Sequence, residues 1–313
     1  MTTTNANFEI VANISEGRNP AILQQVTAAI QAVPGVTLRD VHTDADHDRS
    51  VFTYVAAGGV ELVAATLALA RIAVASIDLS SPEKSGEGRG VHPRIGALDV
   101  VPVVPISPEA TLEQAAEIAR VAGAALATTL SLPVHLYGAA ARNEERRSLP
   151  TLRRGGFEQL AAHQAADGGE PDFGPREPHP TAGATAVGAR TLMAAWNIEL
   201  AGADADTLLQ VSKEIAREIR GATPGGVRGL QALGFPLASK GVAQVSMNLH
   251  DLLRPPIVAI RCMRFVSASA RQRVAAALRV VRQRLLGYSR SERCMRAATQ
   301  QRCRSAAAGS ASY

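Results

Sequence analysis

The sequence predicts an α/β fold of the α+β kind built from two similar units, and three features of the 313-residue chain point there. Short apolar runs with β-branched residues are interleaved with longer alanine-rich runs, the pattern of strands separated by helices. The first six runs come in the order strand, helix, strand, strand, helix, strand, which is the ferredoxin-like βαββαβ unit. A comparable series restarts near Arg190.

Residues 8–13 read as the first strand. A helix follows with Asn19 as N-cap and Pro20 at its first position, and Pro34-Gly35 ends it. Residues 36–42 and 50–56 read as two strands around the polar turn 43–49. Residues 60–77 have the length and alanine content of a buried helix, and 98–104 form the fourth strand. A helix over about 108–129 and a strand at 134–137 extend the unit. Residues 143–183 are polar and rich in Gly and Pro, a short helical region and then a connector. The second unit reads as strand 191–200, helix 205–220, and strands 227–233 and 242–249. Residues 270–286 read as a helix, and no closing strand is evident after Gly287. We therefore expect one domain at 1–183, a second and incomplete one at 184–251, and a tail of different character at 252–313.

The formal charge of +5 averages two unlike parts. Residues 254–313 hold 13 Arg, no Lys and one acid, Glu292, a net of +12, whereas residues 1–253 come to −7. Cys262, Cys294 and Cys303 also fall in that last stretch, so the main body has neither a disulfide nor a Cys metal ligand. The body favours Arg over Lys, as a G+C-rich gene does, and an out-of-frame reading of such a gene yields this mix of Arg, Ala, Ser and Cys. We expect a change of reading frame near Leu252 in preference to a genuine basic arm, leaving a strand edge unpaired. The apolar stretch 62–70 is far too short to span a bilayer, and the first residues lack the regions of a secretory signal, so a cytoplasmic protein is expected. The basic tail invites a nucleic-acid reading, but it has few aromatics and the body is acidic.

The stretch most informative about chemistry is Val91-His92-Pro93-Arg94-Ile95-Gly96-Ala97-Leu98-Asp99, which follows a loop with Gly86, Gly88 and Gly90. Pro93 keeps the backbone of His92 out of helical geometry. That presents an imidazole able to act as a general base beside the anion-binding guanidinium of Arg94. The plainer alternative is a His that hydrogen-bonds a loop carbonyl. Asp44-Ala45-Asp46-His47-Asp48 invites a metal, but an EF-hand wants Gly where Arg49 stands and Glu where Val55 stands. Zinc on His47 is disfavoured because sequence neighbours do not easily share one tetrahedral site, so we read a hydrogen-bonded turn and no metal. Gly86-Glu87-Gly88-Arg89-Gly90 lacks dinucleotide spacing, and neither a Gly-x-Ser-x-Gly elbow nor a Walker sequence occurs.

Val11-Ala12-Asn13-Ile14-Ser15-Glu16-Gly17-Arg18-Asn19 resembles the opening of the glutamate formimidoyltransferase family. Asp46-His47-Asp48-Arg49-Ser50-Val51 and His92-Pro93-Arg94-Ile95-Gly96-Ala97 are similar to its next two signatures. Leu136-Tyr137-Gly138, Arg146-Arg147-Ser148-Leu149-Pro150, Pro171-Asp172-Phe173-Gly174-Pro175 and Gly183-Ala184-Thr185-Ala186-Val187-Gly188-Ala189-Arg190 follow in family order. The run covers roughly residues 8–250, about four fifths of the chain, and fades after Asp251.

The resemblance implies two α/β halves with a folate groove between them and a closing strand that this chain lacks, and the chain is expected to be too short for the cyclodeaminase domain fused in some relatives. It implies a monofunctional transferase of one-carbon and histidine metabolism, which moves the formimino group of N-formimidoyl-L-glutamate to N5 of tetrahydrofolate and releases L-glutamate. His92 is its catalytic residue, although Val91 stands where many relatives carry Glu. Arg49 and Arg94 are the expected ligands of substrate carboxylates, with Arg18 a weaker third, and for each the alternative is a surface or ion-paired arginine. Gly174-Pro175-Arg176-Glu177-Pro178-His179-Pro180-Thr181-Ala182-Gly183 corresponds to the folate-binding segment, a stiff loop whose glycines allow close approach to a flat pterin; an ordinary linker is the alternative. Tetrahydrofolate is thus the expected co-substrate, no membrane or nucleic-acid partner is expected, and a homodimer is compatible. Alternatives on the same fold are a formyl donor or folate salvage, or an inactive folate- or nucleic-acid-binding protein.

Overall fold

A computed structural model of the chain describes residues 6–86, 90–220, 230–250 and 279–286. It divides into two compact units, Met1–Leu192 and Met193–Tyr313. The first opens with β1 (Asn7–Ile14), α1 (Pro20–Gln31), β2 (Thr37–Asp44), β3 (Arg49–Ala57), α2 (Val60–Ser76) and β4 (Leu98–Pro105), the order that the apolar periodicity gives. It continues through α3 (Leu112–Leu130), β5 (Val134–Gly138), α4 (Leu149–Leu152), α5 (Leu160–Ala165) and β6 (Thr185–Ala189). The carboxamide of Asn19 accepts from Ala21 N (3.0 Å) and Ile22 N (3.4 Å) to start α1, and Thr111 with Gln114 forms a capping box on α3.

These strands form one six-stranded sheet in the order β2-β3-β1-β4-β6-β5. The pairs among β2, β3, β1 and β4 are antiparallel, and β6 runs parallel to both β4 and β5. Strand β6 is not legible in the sequence: Thr-Ala-Val-Gly-Ala is buried along its whole length, shows no alternation and contains a glycine. Its pairing inside this sheet carries the first unit on to Leu192 instead of ending it at 183.

One face of the sheet packs α1, α2 and α3. Ile22, Val26, Ile30, Leu62, Leu69 and Leu126 meet Ile10, Phe52, Tyr54, Val101 and Val103 in a single apolar cluster. Burial of each such side chain contributes about 1.5–3 kcal/mol. A second, smaller cluster joins Val100, Tyr137, Ala184 and Ala186 to Leu149, Leu152 and Leu160, which seats α4 on the sheet. Arg153 follows α4 directly.

Four strand ends meet at one end of the sheet. Ile14, closing β1, pairs with Ser50 of β3 and with Leu98 of β4. Thr185, opening β6, donates its hydroxyl to Leu98 O at 2.8 Å. Backbone bonds from Ala97 N to Ala182 O (2.9 Å) and from Ala184 N to Ile95 O (3.0 Å) tie the chain before β4 to the turn before β6. The fit is close enough that a Cβ on Gly96 would lie 2.0 Å from Ala184 O.

The second unit comprises β7 (Met193–Ala201), α6 (Ala205–Ile219), β8 (Leu230–Leu237), β9 (Val242–His250) and β10 (Arg279–Leu286). Its sheet has the order β10-β7-β9-β8, antiparallel throughout, and α6 packs on it through Leu208, Val211, Ile215 and Ile219. Here the structure departs from the sequence-based expectation. Residues 279–286, expected to be helical, form a strand that pairs Arg279 with Ala201 and Leu286 with Ala195. The second sheet is therefore not left incomplete, and the edge of β7 is covered. Val280-Val281 between Arg279 and Arg282 is the composition of a charged edge strand, which the apolar spacing of 270–286 masks. The early part of the expected strand 227–233, and the rest of the expected helix and tail, lie outside the described residues. No described helix is long and apolar enough to cross a membrane.

Candidate active site

The converging strand ends place three loops side by side. The first is the end of β1 running into α1. Its Glu16 carboxylate accepts from Arg18 N (2.6 Å) and Asn19 N (2.8 Å), folding the chain back into the helix cap. The second is the β2–β3 turn, where Asp48 adopts a left-handed φ of +47° and its carboxylate accepts from Gly17 N at 3.0 Å. Lys84 joins the two: its ammonium lies 2.8 Å from Glu16 Oε2 and 2.8 Å from each oxygen of Asp48, and all three side chains are buried or nearly so. Gly17 has to be glycine, since a Cβ there would lie 2.3 Å from Asp44 O and 2.6 Å from Arg49 N.

The third loop carries His92. Val91 N donates to Asp46 O at 3.1 Å, and Gly90 packs so tightly on the turn that a Cβ would fall 2.2 Å from His47 O. His92 is thereby laid against Arg49, the first residue of β3, with Nη1 of Arg49 hydrogen-bonded to Nε2 of the ring. Nδ1 of His92 is 2.8 Å from Pro93 O and 3.0 Å from Nη2 of Arg153. Arg153 also donates to Pro93 O and forms an ion pair with Asp99. The other oxygen of Asp99 accepts from Ile95 N at 2.9 Å, closing the loop onto the start of β4. The His47 ring stands edge-on to His92 with centroids 5.9 Å apart.

Burial, then the cations of Arg49 and Arg153, drive the His92 imidazole well below its ordinary pKa of 6.5, and the Pro93 carbonyl offsets this only in part. Burial and Arg153 likewise lower Arg49 to about 10, against the opposing carboxylates of Asp99 and Asp44. The ring is neutral at physiological pH, with one nitrogen facing a guanidinium. Such a group can accept a proton once that cation moves, and the cation is suited to an incoming carboxylate.

The residues singled out in the sequence do not all converge. His92 and Arg49 touch. Arg94 is buried and points away: it donates to the carbonyl of Lys84 and lies 3.6 Å from Glu158. Arg18, half exposed, donates from Nε to Ala45 O at 3.1 Å and lies 3.9 Å from Asp48. The segment 174–183 splits in two. Gly174, Pro175, Arg176 and Glu177 are exposed, whereas His179 and Gly183 exchange backbone bonds of 2.9 and 2.8 Å in a tight turn tied to Ile95 and Ala97. Its entry is anchored by Asp172, whose carboxylate accepts from Leu136 N (2.7 Å) and Arg146 (3.0 Å) and contacts Arg142 at 2.6 Å.

Sequence reasoning misses Arg153, Asp99, Glu16, Asp48 and Lys84 as parts of this cluster. Lys84 leaves one usable trace: it is one of three lysines in a chain with 33 basic residues. A compact ammonium fits between two carboxylates where a planar guanidinium does not.

Residues 7–190 match the formiminotransferase domain, N-terminal subdomain. The chain is 38% identical over 241 residues to a glutamate formimidoyltransferase of Streptococcus pyogenes, covering 77% of this chain and 76% of the relative. A glutamate formimidoyltransferase of Thermoplasma acidophilum is 36% identical over 251 residues, covering 80% and 78%. A formimidoyltransferase-cyclodeaminase of Gallus gallus is 39% identical over 253 residues, which span 80% of this chain but 45% of the relative. The chain belongs to the formiminotransferase domain family.

Proposed function

We propose that the chain is a glutamate formimidoyltransferase, moving the formimino group of N-formimidoyl-L-glutamate to N5 of tetrahydrofolate, with His92 as the proton carrier. The observation that carries this reading is a neutral imidazole whose Nε2 meets the guanidinium of Arg49 at the meeting point of four strand ends. N5 attacks the formimino carbon, and its proton passes to Nε2 of His92 as the new C–N bond forms. The imidazolium returns a proton to the glutamate nitrogen as the old C–N bond breaks, so one N–H is lost and one is gained.

Arg49 covers Nε2 in the free site, and its Nε is buried with no hydrogen-bond partner among the described residues. A carboxylate is a stronger partner for a guanidinium than a neutral imidazole is. Substrate binding therefore draws Arg49 off the ring and frees the lone pair. Arg94, held by Lys84 O and Glu158, serves as an anchor of the His92 loop. The exposed stretch Gly174–Glu177, next to the turn at 179–183, is the part of the expected folate segment open to a pterin or its acidic tail, with Arg176 as the available cation.

The test is a turnover assay with formiminoglutamate and tetrahydrofolate, run beside His92→Gln. Turnover is expected to fall by roughly 10²–10⁴-fold at an unchanged melting temperature. A variant within a few-fold of the parent would remove His92 from the reaction.

A further inference from the structure

The turn at 179–183 carries a side chain that the transfer chemistry leaves without a task. His179 stands between Pro178 and Pro180, and a residue before proline is kept extended. Its backbone N–H and carbonyl pair with Gly183 at 2.9 and 2.8 Å and close the neck of the turn. Inside the neck Pro180 has no N–H, and the two amides that remain, Thr181 and Ala182, reach no backbone carbonyl among the described residues. Both donate instead to Nδ1 of the His179 imidazole, Ala182 N at 3.0 Å and Thr181 N at 3.3 Å, with the Thr181 hydroxyl at 3.4 Å. Ala182 is 1% exposed, so its buried N–H depends on that acceptor. A nitrogen that accepts carries no hydrogen, which puts the ring proton on Nε2.

The outer side of the same turn is the footing of the His92 loop. Thr181 O accepts from Leu79 N at 2.9 Å, ahead of that loop, and Ala182 O accepts from Ala97 N at 2.9 Å, behind it. The carbonyl of Thr181 and the N–H of Ala182 belong to one planar peptide unit. The imidazole therefore grips one side of the unit whose other side holds Leu79, which the neck pair with Gly183 does not do. In the other direction the turn leads back to the exposed stretch Gly174–Glu177, whose far end is held where Asp172 accepts from Leu136 N and Arg146. We propose that His179 is the positioning residue that sets this stretch against the His92 loop, by holding the turn between them through Nδ1. The inference rests on folate meeting residues 174–177, but its first readout does not need turnover.

The experiment is amide hydrogen exchange at Thr181 and Ala182 in the ¹⁵N-labelled full chain, beside steady-state kinetics with formiminoglutamate and tetrahydrofolate varied in turn. The variants are chosen by reach: Asn places a side-chain oxygen where Nδ1 stands, Gln places one where Nε2 stands, and Leu fills the volume with no acceptor. In His179→Gln and His179→Leu, Ala182 is expected to exchange roughly 10–100-fold faster. In both, KM for tetrahydrofolate should rise and kcat should fall by about 10-fold each, as the stretch and the His92 loop lose their register. KM for formiminoglutamate should stay within about 2-fold, because Arg49 stands on β3, outside the turn. His179→Asn should bring exchange and both constants most of the way back to the parent. Unchanged protection of Ala182 in Gln and Leu, or a ranking in which Gln and Leu replace His179 better than Asn does, would overturn the proposal. Lost protection with kcat and both KM values unmoved would leave the cap standing but remove the positioning role, and with it the folate reading of 174–177.

Discussion

Replacing Lys84 by Met should be the most damaging single change among the charged residues near the site. Lys84 makes three contacts of 2.8 Å to Glu16 and Asp48, whose side chains are 5% and 3% exposed. Methionine leaves two buried carboxylates facing each other, with the amides of Gly17, Arg18 and Asn19 as donors and the half-exposed Arg18 guanidinium 3.9 Å from Asp48. Breaking a buried ion pair by deleting one partner costs about 3–5 kcal/mol, and two stranded anions put this case at the upper end. The pH dependence should also reverse. In the parent, burial pushes the Glu16 carboxyl up, but Lys84 and the two amides outweigh it and leave the group below its ordinary 4.5. That contribution to stability is present above the unfolded pKa and lost as pH falls through the folded one. In Lys84→Met the Glu16 carboxyl is raised instead, because burial is no longer offset by the ammonium, so it takes a proton on mild acidification and the loss shrinks. Urea titrations at pH 7.5 and 5.5 measure both effects. A loss under about 1 kcal/mol, or a penalty that grows with acid, would refute the account. Asp48→Asn added to Lys84→Met should recover part of the loss by removing one anion.

Arg49→Ala and Arg94→Ala should separate cleanly. The first is expected to raise KM for formiminoglutamate by about 10–100-fold, the worth of one charge-assisted contact, at little cost in stability. The second is expected to lower the melting temperature and leave KM near the parent value; steady-state kinetics and thermal melts that exchange these outcomes would reverse the two roles. Acid sensitivity is a third test. Burial, then Arg146 and His163, lower His135 to about 4, so the unfolded chain binds a proton that the folded chain refuses. Stability should therefore fall as pH drops below about 6.5, by roughly 2 kcal/mol at pH 5, with His92 acting in the same direction. His135→Leu should flatten that slope, and an unchanged slope would place the acid sensitivity elsewhere.

The elements easiest to read in the sequence are those whose apolar period decides the matter locally. Asn19-Pro20 announces α1, and the alternation of β3, with Ser50, Phe52, Tyr54 and Ala56 buried and their neighbours less so, is legible residue by residue. Strand β6 fails the same test because a strand buried on both faces has no alternation to show, and its small residues resemble a loop. Strand β10 fails because its pairing with β7 is a long-range fact that overrides local spacing. The site divides in the same way. His92 and Arg49 stand inside recognisable motifs, but the grip of Arg153 on Asp99 spans 54 residues and that of Lys84 on Glu16 spans 68. Neither pairing has a local signature.

The meeting of four strand ends also bears on how the protein is born. Glu16, Arg49, Lys84, His92, Asp99, Arg153 and the turn at 179–183 come from segments spread over most of the first unit, and none of them is held by its own neighbours alone. A ribosome must release the turn before β6 ahead of two closing backbone bonds, Ala97 to Ala182 and Ala184 to Ile95, which lock the chain behind the His92 loop. Closure over such separations is slow compared with helix formation, so the chain should pass through a stage in which α1, α2 and α3 are formed but the site is not. Truncations that stop short of residue 189 should accordingly yield helical chains with no organised His92, and the late arrival of β6 makes the site a reporter of completed folding.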